Sequence, residues 1–449
     1  MPLDTMPAAN RPLGNDVTPR EAWAWAMYDF ANSGYTTVVI TAVFNAYFVA
    51  VVAQRATWAT LAWTATLAAS YALIVLTAPL IGAWADARAA KKRLLAFATV
   101  GCVLSTAALC FSGPGTLALA IACIIVSNFF FGTGENLIAA FLPELAKGRA
   151  MGRVSGWGWS LGYLGGLLSL GACLAWLSQA KAAGRETAQA VPETMLIAAL
   201  LFAVASLPTF LFLRERAVPQ ADADGIARIA WARLSATAHH ARRFRDLARF
   251  LVCTLFYQAG IAAVITLAAI YAQEAMHFTT EQTLLLILVV NVTAALGAFG
   301  FGYLQDGIGH VRAIAATLCG WVVMILLAWL AEGAALFWGA ANIAGLCMGA
   351  SQSAGRAMVG YLAPPSRLAE FFGLWGLAVK LASIFGPLTY GLANWLSGGD
   401  HRRAILITGS YFVAGLLLLA GVDVRRGRRA ARRSEREERA TAARATARP

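Results

Sequence analysis

Twelve apolar runs, separated by short charged segments, fill most of this 449-residue chain. They lie near 24–53, 58–85, 94–112, 117–141, 154–178, 194–213, 249–272, 282–304, 312–331, 334–360, 370–396 and 404–424. A helix crosses a bilayer with about 20 mostly apolar residues. In lipid each backbone polar group must be satisfied inside its own segment, so runs of this length predict helices. The pattern predicts an all-α membrane protein with twelve transmembrane helices. A soluble chain of this length would need a polar surface. Only 13% of the residues are charged and 59% are hydrophobic, against roughly a quarter charged in an average soluble chain.

The charges sit between the runs, and their signs give an orientation. Lys and Arg collect in cytoplasmic loops. With the N-terminus in the cytoplasm, the inside holds Arg88, Lys91, Lys92, Arg93, Lys147, Arg149, Arg153, Arg312 and Arg367, plus the 214–248 stretch and the tail. The outside receives Arg55, Lys181, Arg185, Arg402 and Arg403. Both termini are therefore expected in the cytoplasm. The formal net charge of +13 follows from this topology. It does not read as nucleic-acid binding, which needs a basic face on a folded domain. The polar first 20 residues lack an apolar h-region, so no cleavable signal peptide is expected. The seven cysteines all fall in apolar runs without a CxxC or Cys/His cluster, and read as packing residues. No metal site and no cofactor are expected.

The runs group into two sets of six. The expected division is a polar segment 1–20, a bundle 21–213, a linker 214–248, a bundle 249–424 and an Arg-rich tail 425–449. In the linker, Ile226, Ile229, Trp231 and Leu234 alternate with Arg228, Arg233 and Arg242. That is the pattern of a basic amphipathic helix lying on the membrane surface, with a plain charged tether as the alternative. The tail reads as a solvated helix or as disorder, with attraction to lipid headgroups as a minor role.

The two sets also repeat. Gly82 and Asp86 recur 220 residues later as Gly302 and Asp306; Pro143, Gly152 and Gly165 recur 221 later as Pro364, Gly373 and Gly386. Parallel repeats of six-helix halves are a transporter architecture. The stretches GAWADARAAKKR (82–93) and GYLQDGIGHVR (302–312) resemble the two copies of the loop motif of the major facilitator superfamily. Ala89 stands where glycine is usual, and the second copy keeps Gly309. Three longer stretches are similar to the branch containing the fungal vacuolar amino-acid effluxers and their bacterial relatives. They are AWAMYDFANSGYTTVVITAVF (24–44), AFLPELAKGRAMGRVSGWGWSLGYLGGLL (140–168) and SQSAGRAMVGYLAPPSRLAEFFGLWGLAVKLASIFGPL (351–388). The resemblance implies two pseudo-symmetric six-helix bundles, with helices 1, 4, 7 and 10 lining a central cavity.

An ionisable group in lipid should face a cavity or a partner. Asp29, Glu135, Arg356 and Lys380 are such groups. The 221 offset makes Glu135 and Arg356 mates on helices 4 and 10, and the expectation is that they pair across the cavity as a gate. Polar stripes at three- and four-residue spacing add Asn32 and Thr36 to Asp29, Asn128 and Gly132 to Glu135, and Asn342, Gly345, Gly349 and Gln352 to Arg356. Helix 7 offers Tyr257 and Gln258. Gly34 aligned on Gly260 sets Gln258 opposite Asn32. Each lone amide could instead be an interhelical packing bond. Asp29 or Glu135 could carry a coupling proton, and Lys380 could meet a substrate carboxylate or a carboxylate of the other half.

The loop residues Gly82, Asp86, Arg88, Lys91, Lys92, Gly302, Asp306, Gly309 and Arg312 are the expected gating elements. The resemblance sets Asp86 against the start of helix 11 near Glu370 and Phe371. By the repeat, Asp306 would face the start of helix 5 near Arg153. Gly158, Gly162 and Gly166 read as a surface for close helix packing. No HExxH or His cluster suggests an enzyme, and no GxxxxGK[ST] loop suggests ATP as driver. The resulting expectation is a secondary transporter moving a small polar solute, tilted by the resemblance toward amino-acid efflux with a coupling proton. A sugar or drug/metabolite exporter and a non-transporting sensor are the alternatives. The expected setting is the bacterial inner (plasma) membrane, in contact with lipid and as a monomer.

Overall fold

Each apolar run closes its backbone bonds on itself, and the described residues of the computed structural model contain twelve helices long and apolar enough to cross a membrane. It describes residues 13–14, 16–54, 56, 58–146, 150–219, 244–278, 280–398 and 400–446. The first six helices are α1 (Pro19–Val52), α2 (Ala62–Arg88), α3 (Lys91–Phe111), α4 (Leu117–Leu145), α5 (Met151–Ala182) and α6 (Gln189–Phe212). The second six are α7 (Arg245–Thr266), α8 (Leu285–Ile308), α9 (His310–Leu330), α10 (Ala334–Leu362), α11 (Pro365–Asn394) and α12 (His401–Ala420). A further helix, α13, runs over Val424–Thr446. Local signals set the ends. Thr18 caps α1 by accepting from the Glu21 N–H at 3.3 Å, with Pro19 in the first turn. Asp400 does the same for α12 through the N–H groups of Arg402 and Arg403. Lys147, Arg149, Arg55 and the linker residues 220–243, with the expected amphipathic helix, lie outside the described residues.

The packing is two-fold. In the first half α1 packs on α5 and α6, α2 on α4, and α3 on α4 and α6. In the second half α7 packs on α11 and α12, α8 on α10, and α9 on α10 and α12. Adding six to each helix number of the first set reproduces the second. The seam between the halves obeys the same rule: α2 and α4 meet α11, while α8 and α10 meet α5.

Residues 19 and 424 lie on one face of the molecule, called here the terminal face. Both halves are fastened there alike. Arg216, which follows α6, grips Glu21 at the start of α1 with two bonds of 2.6 and 2.9 Å. Arg426, in α13, grips Asp246 at the start of α7 at 2.7 and 2.6 Å. These hydrogen bonds, and the carboxylate charges behind them, raise both guanidinium groups above their ordinary range. The tail helix is not free in solvent along its whole surface. Gly427 packs against Leu362 and Asp246, Arg428 donates to the Tyr361 carbonyl at 2.7 Å, and Ala431 and Ser434 are buried.

The two copies of the loop motif both turn at a residue of positive φ, with different residues in that place. Gly309 has φ of +92°, where a side chain is disfavoured. Ala89, its mate, ends α2 in the left-handed region at φ 48° and ψ 51°. An L-residue bears roughly 1–2 kcal/mol there that glycine avoids. Ala89→Gly is therefore expected to stabilise the detergent-solubilised protein by about 1 kcal/mol, after the greater chain entropy glycine brings to the unfolded state. Thermal unfolding checks this; a midpoint that falls would contradict it.

Candidate functional site at the seam between the halves

Close backbone approach makes the seam. A Cβ on Gly82 would stand 2.3 Å from the Ala369 carbonyl oxygen, and one on Gly302 would stand 2.7 Å from that of Gly152. Both glycines therefore let a helix of one half rest on the first turn of a helix of the other. One turn further along sit the two loop carboxylates. Asp86 accepts from the Glu370 N–H at 3.0 Å, at the start of α11. Asp306 accepts from the N–H groups of Gly152 and Arg153 at 3.1 and 3.3 Å, at the start of α5. The Arg153 side chain also lies 3.3 Å from Asp306. Each carboxylate thus meets the positive end of a helix belonging to the other half. Among the basic loop residues, Lys91 pairs with Glu144, and the N–H groups of Lys91 and Lys92 donate to Glu215 at 2.7 and 3.1 Å. The Lys92 ammonium reaches the Leu213 carbonyl. These bonds tie α3 to α4 and to the segment after α6, within one half. Arg88 and Arg312 are exposed.

Deeper in the seam lie four charges, and their pairing differs from the expected one. Arg356 does not meet Glu135. It bonds Asp29 at 2.6 Å, and its other nitrogens donate to the Ser155 hydroxyl at 3.0 Å and the Ser155 carbonyl at 2.9 Å. Glu135 instead accepts from Lys380 at 3.2 Å. The reason lies in the helix packing: α4 rests on α11 and α10 rests on α5. Mated residues on α4 and α10 therefore look into different seams. The symmetry shows in the neighbours, since Lys380 and Trp159 are 221 apart. Glu135 meets the first, and the Arg356 guanidinium lies 5.4 Å from the ring of the second.

The two pairs have different surroundings. Asp29 and Arg356 have side chains only 11% and 4% exposed. The guanidinium lies over Trp25 at 4.7 Å, and the Trp25 indole is itself held by the Ile138 carbonyl at 2.8 Å. The glycines of α5 make room for this pair. A Cβ on Gly158 would fall 2.3 Å from an Asp29 oxygen, and Cβ atoms on Gly162 and Gly166 would press on Ser33 and Thr37. The glycine repeat is thus the bed on which the Asp29–Ser33–Thr37 face of α1 lies. The second pair is more open: the Glu135 side chain is 28% exposed and that of Lys380 11%. The ammonium sits over the rings of Tyr71 and Phe131 at 5.4 and 5.5 Å.

The predicted polar stripes separate into several contacts. Asn128 donates to Ser70 of α2 at 2.5 Å and is buried, so it joins helices inside the first half. Asn342 donates to the Trp338 carbonyl one turn back, and Gly345 and Gly349 press on α8. Gln258 and Gln352 bond each other at 2.7 Å, between α7 and α10. Tyr257 is fully buried. Its hydroxyl faces Gly355 as that of Tyr28 faces Gly134, and 134 and 355 are 221 apart. The mates on α1 and α7 are therefore Tyr28 with Tyr257 and Asp29 with Gln258. The alignment through Gly34 and Gly260 is corrected: Gly34 abuts Ser169 of α5, but Gly260 abuts Phe412 of α12. Asn32 is buried one turn from Asp29, and its side-chain oxygen has no hydrogen-bond partner among the described residues.

The family of vacuole effluxers described as Atg22 like matches residues 59–432 of this chain. The chain belongs to this family, a branch of the major facilitator superfamily. It is 27% identical over 406 residues to the uncharacterized MFS-type transporter YxiO of Bacillus subtilis (strain 168), covering 89% of this chain and 94% of that one. It is 26% identical over 328 residues to autophagy-related protein 22-1 of Aspergillus fumigatus, covering 66% of this chain. That match spans about half, 53%, of the fungal protein. Among solved structures, the human organic anion transporter MFSD10 superimposes with a TM-score of 0.71 at 17% identity, over 90% of this chain and all of that one. FucP in its outward conformation gives 0.69 at 12%, over 91% and 99%. These likenesses show the fold: a multi-pass major facilitator protein.

Several residues of this transporter's seam carry no charge and were not among the predicted site residues: Ser155, Trp25, Trp159, Tyr71 and Phe131. A signal existed for Trp159, which is the repeat mate of Lys380. Breaking a buried pair from one side leaves an uncompensated charge and costs about 3–5 kcal/mol. Arg356→Gln alone is expected to lower stability on that scale, and Asp29→Asn with Arg356→Gln by clearly less than the sum of the singles. A double-mutant cycle on thermal unfolding measures this; additive losses would show that the two side chains are not coupled.

Proposed function

We propose that this chain is a secondary active transporter that moves a small polar solute by alternating access, with amino-acid export coupled to protons as the leading form. One observation carries the reading. A carboxylate–ammonium pair with a partly exposed carboxylate, Glu135 with Lys380, lies behind a seam that is closed toward the terminal face. The described hydrogen bonds between halves fall within about 20 Å of the helix ends on that face, at 1.5 Å rise per residue. Rocking of one half on the other would release Asp86 and Asp306 from their helix ends and open the same site to the opposite side.

The Lys and Arg bias makes the terminal face cytoplasmic, so the structure corresponds to a state closed to the cytoplasm. Description of the matched family as vacuole effluxers supports the efflux form of this reading. A carboxylate whose cation withdraws when the seam opens must be hydrated or neutralised. Asp29 and Glu135 are therefore the groups proposed to take up a proton.

Purified protein in proteoliposomes, offered amino acids, sugars and drugs with and without a pH gradient, tests this. The expected outcome is saturable uptake of at least one class, stimulated by the gradient. In Asp29→Asn or Glu135→Gln the stimulation should vanish, with exchange at equal pH persisting in Asp29→Asn and falling in Glu135→Gln, whose carboxylate faces the site. Failure of every class to exchange would end the transport reading. Stimulation that survives both substitutions would move the proton elsewhere.

A further inference from the structure

Of the two ion pairs deep in the seam, one is saturated and the other is not. Every nitrogen of the Arg356 guanidinium has a protein acceptor: Nε and Nη2 on Ser155 and Nη1 on Asp29. An ammonium carries three donors, and Lys380 gives one of them, at 3.2 Å, to Glu135. Its remaining contacts are the faces of Tyr71 and Phe131, the kind of surface that attracts any alkylammonium. The Glu135 carboxylate has Lys380 as its one hydrogen-bond partner in the described contacts, and more than a quarter of its side chain is exposed. Glu135 with the rings of Tyr71 and Phe131 is therefore a complete receptor for a primary ammonium, filled by a tethered one.

We infer that the solute is a zwitterion that inserts into the Glu135–Lys380 ion pair, its ammonium on Glu135 and its carboxylate on Lys380. This deepens the transport reading and rests on it. The exchange balances in charge. Before entry the site holds one carboxylate and one ammonium; after entry it holds two of each, paired alternately, so no net charge enters the low-dielectric bundle. A solute with only one of the two charges would leave one protein group unpaired. An amine would strand Lys380, an organic anion would strand Glu135, and a sugar would leave both to share its hydroxyls. Lys380 swings on a flexible four-carbon stem, whereas Glu135 stays on a helix fastened to its neighbours by Trp25 through Ile138 and by Asn128 through Ser70. The lysine is thus the member that moves. Because the two partners stand on α4 and α11, a bound zwitterion bridges the halves as the bare pair does.

Counterflow in proteoliposomes tests the inference, with a pool of the twenty radiolabelled L-amino acids as the probe. Unlabelled competitors are the same pool, its N-acetylated forms and its carboxamide forms. The zwitterions should compete at least tenfold better than either derivative. Glu135→Gln and Lys380→Gln should each lower exchange at least tenfold, and the double reversal E135K/K380E should recover more than either reversal alone. Derivatives that compete as well as the parent amino acids would overturn the inference, as would full exchange in both neutral variants. If sugars or drugs exchange and amino acids do not, the inference fails while transport stands; if nothing exchanges, both fail. Should the reversed chains not fold, as read by size exclusion and thermal unfolding, the two neutral variants and the competitor series decide.

Discussion

A charge inside a lipid-immersed bundle persists only beside a counter-charge or water. For the four charges deep in the seam of this protein, each counter-charge comes from the other half. Asp29 and Glu135 stand in the first six helices, Arg356 and Lys380 in the second. The halves therefore cannot separate at this depth without exposing four ionised groups to new surroundings. Under the proposed alternating access the seam is a two-state element: closed with its charges paired across it, or open with its charges hydrated or neutralised. The loop carboxylates add a second layer nearer the terminal face. Asp86 and Asp306 end on helix N-termini of the opposite half, so the same movement that parts the ion pairs also uncaps two helices.

Close approach is the condition for all of this, and glycine supplies it. Gly82 and Gly302 bring backbones together at the loops, and Gly158 leaves the space that Asp29 and Arg356 occupy. Wider residues would hold the helices apart and leave the charges facing voids. The two pairs also differ in a way that suits different tasks. Arg356 is clamped by Ser155 and stacked between Trp25 and Trp159, which suits a structural bolt. Lys380 is held by one bond and two ring faces, which suits a group that changes partners.

Much of this was legible in the sequence, for identifiable reasons. The twelve spans follow from the length of the apolar runs, and the loop contacts of Asp86 and Asp306 follow from the motif and its repeat. The pairing of the four charges was not legible. A 221-residue offset says that Glu135 and Arg356 are equivalent, but equivalence under a two-fold axis does not mean contact. Likewise the stripe Asn342–Gly345–Gly349 has helical spacing whether it faces a cavity or a packed helix. Small residues let α8 come close enough to cover it.

The sequence alone determined the membrane-spanning class, the repeat of six helices, the four charges deep inside the spans and the places where helices can touch. These depend on properties counted along the chain: apolar length, residue size and spacing. Only the tertiary structure decided which acid meets which base, which polar residues stay inside one half, and which face is shut. Those depend on how α4 and α10 are rotated against α11 and α5, and a rotation is set by the summed packing of both bundles rather than by any one segment.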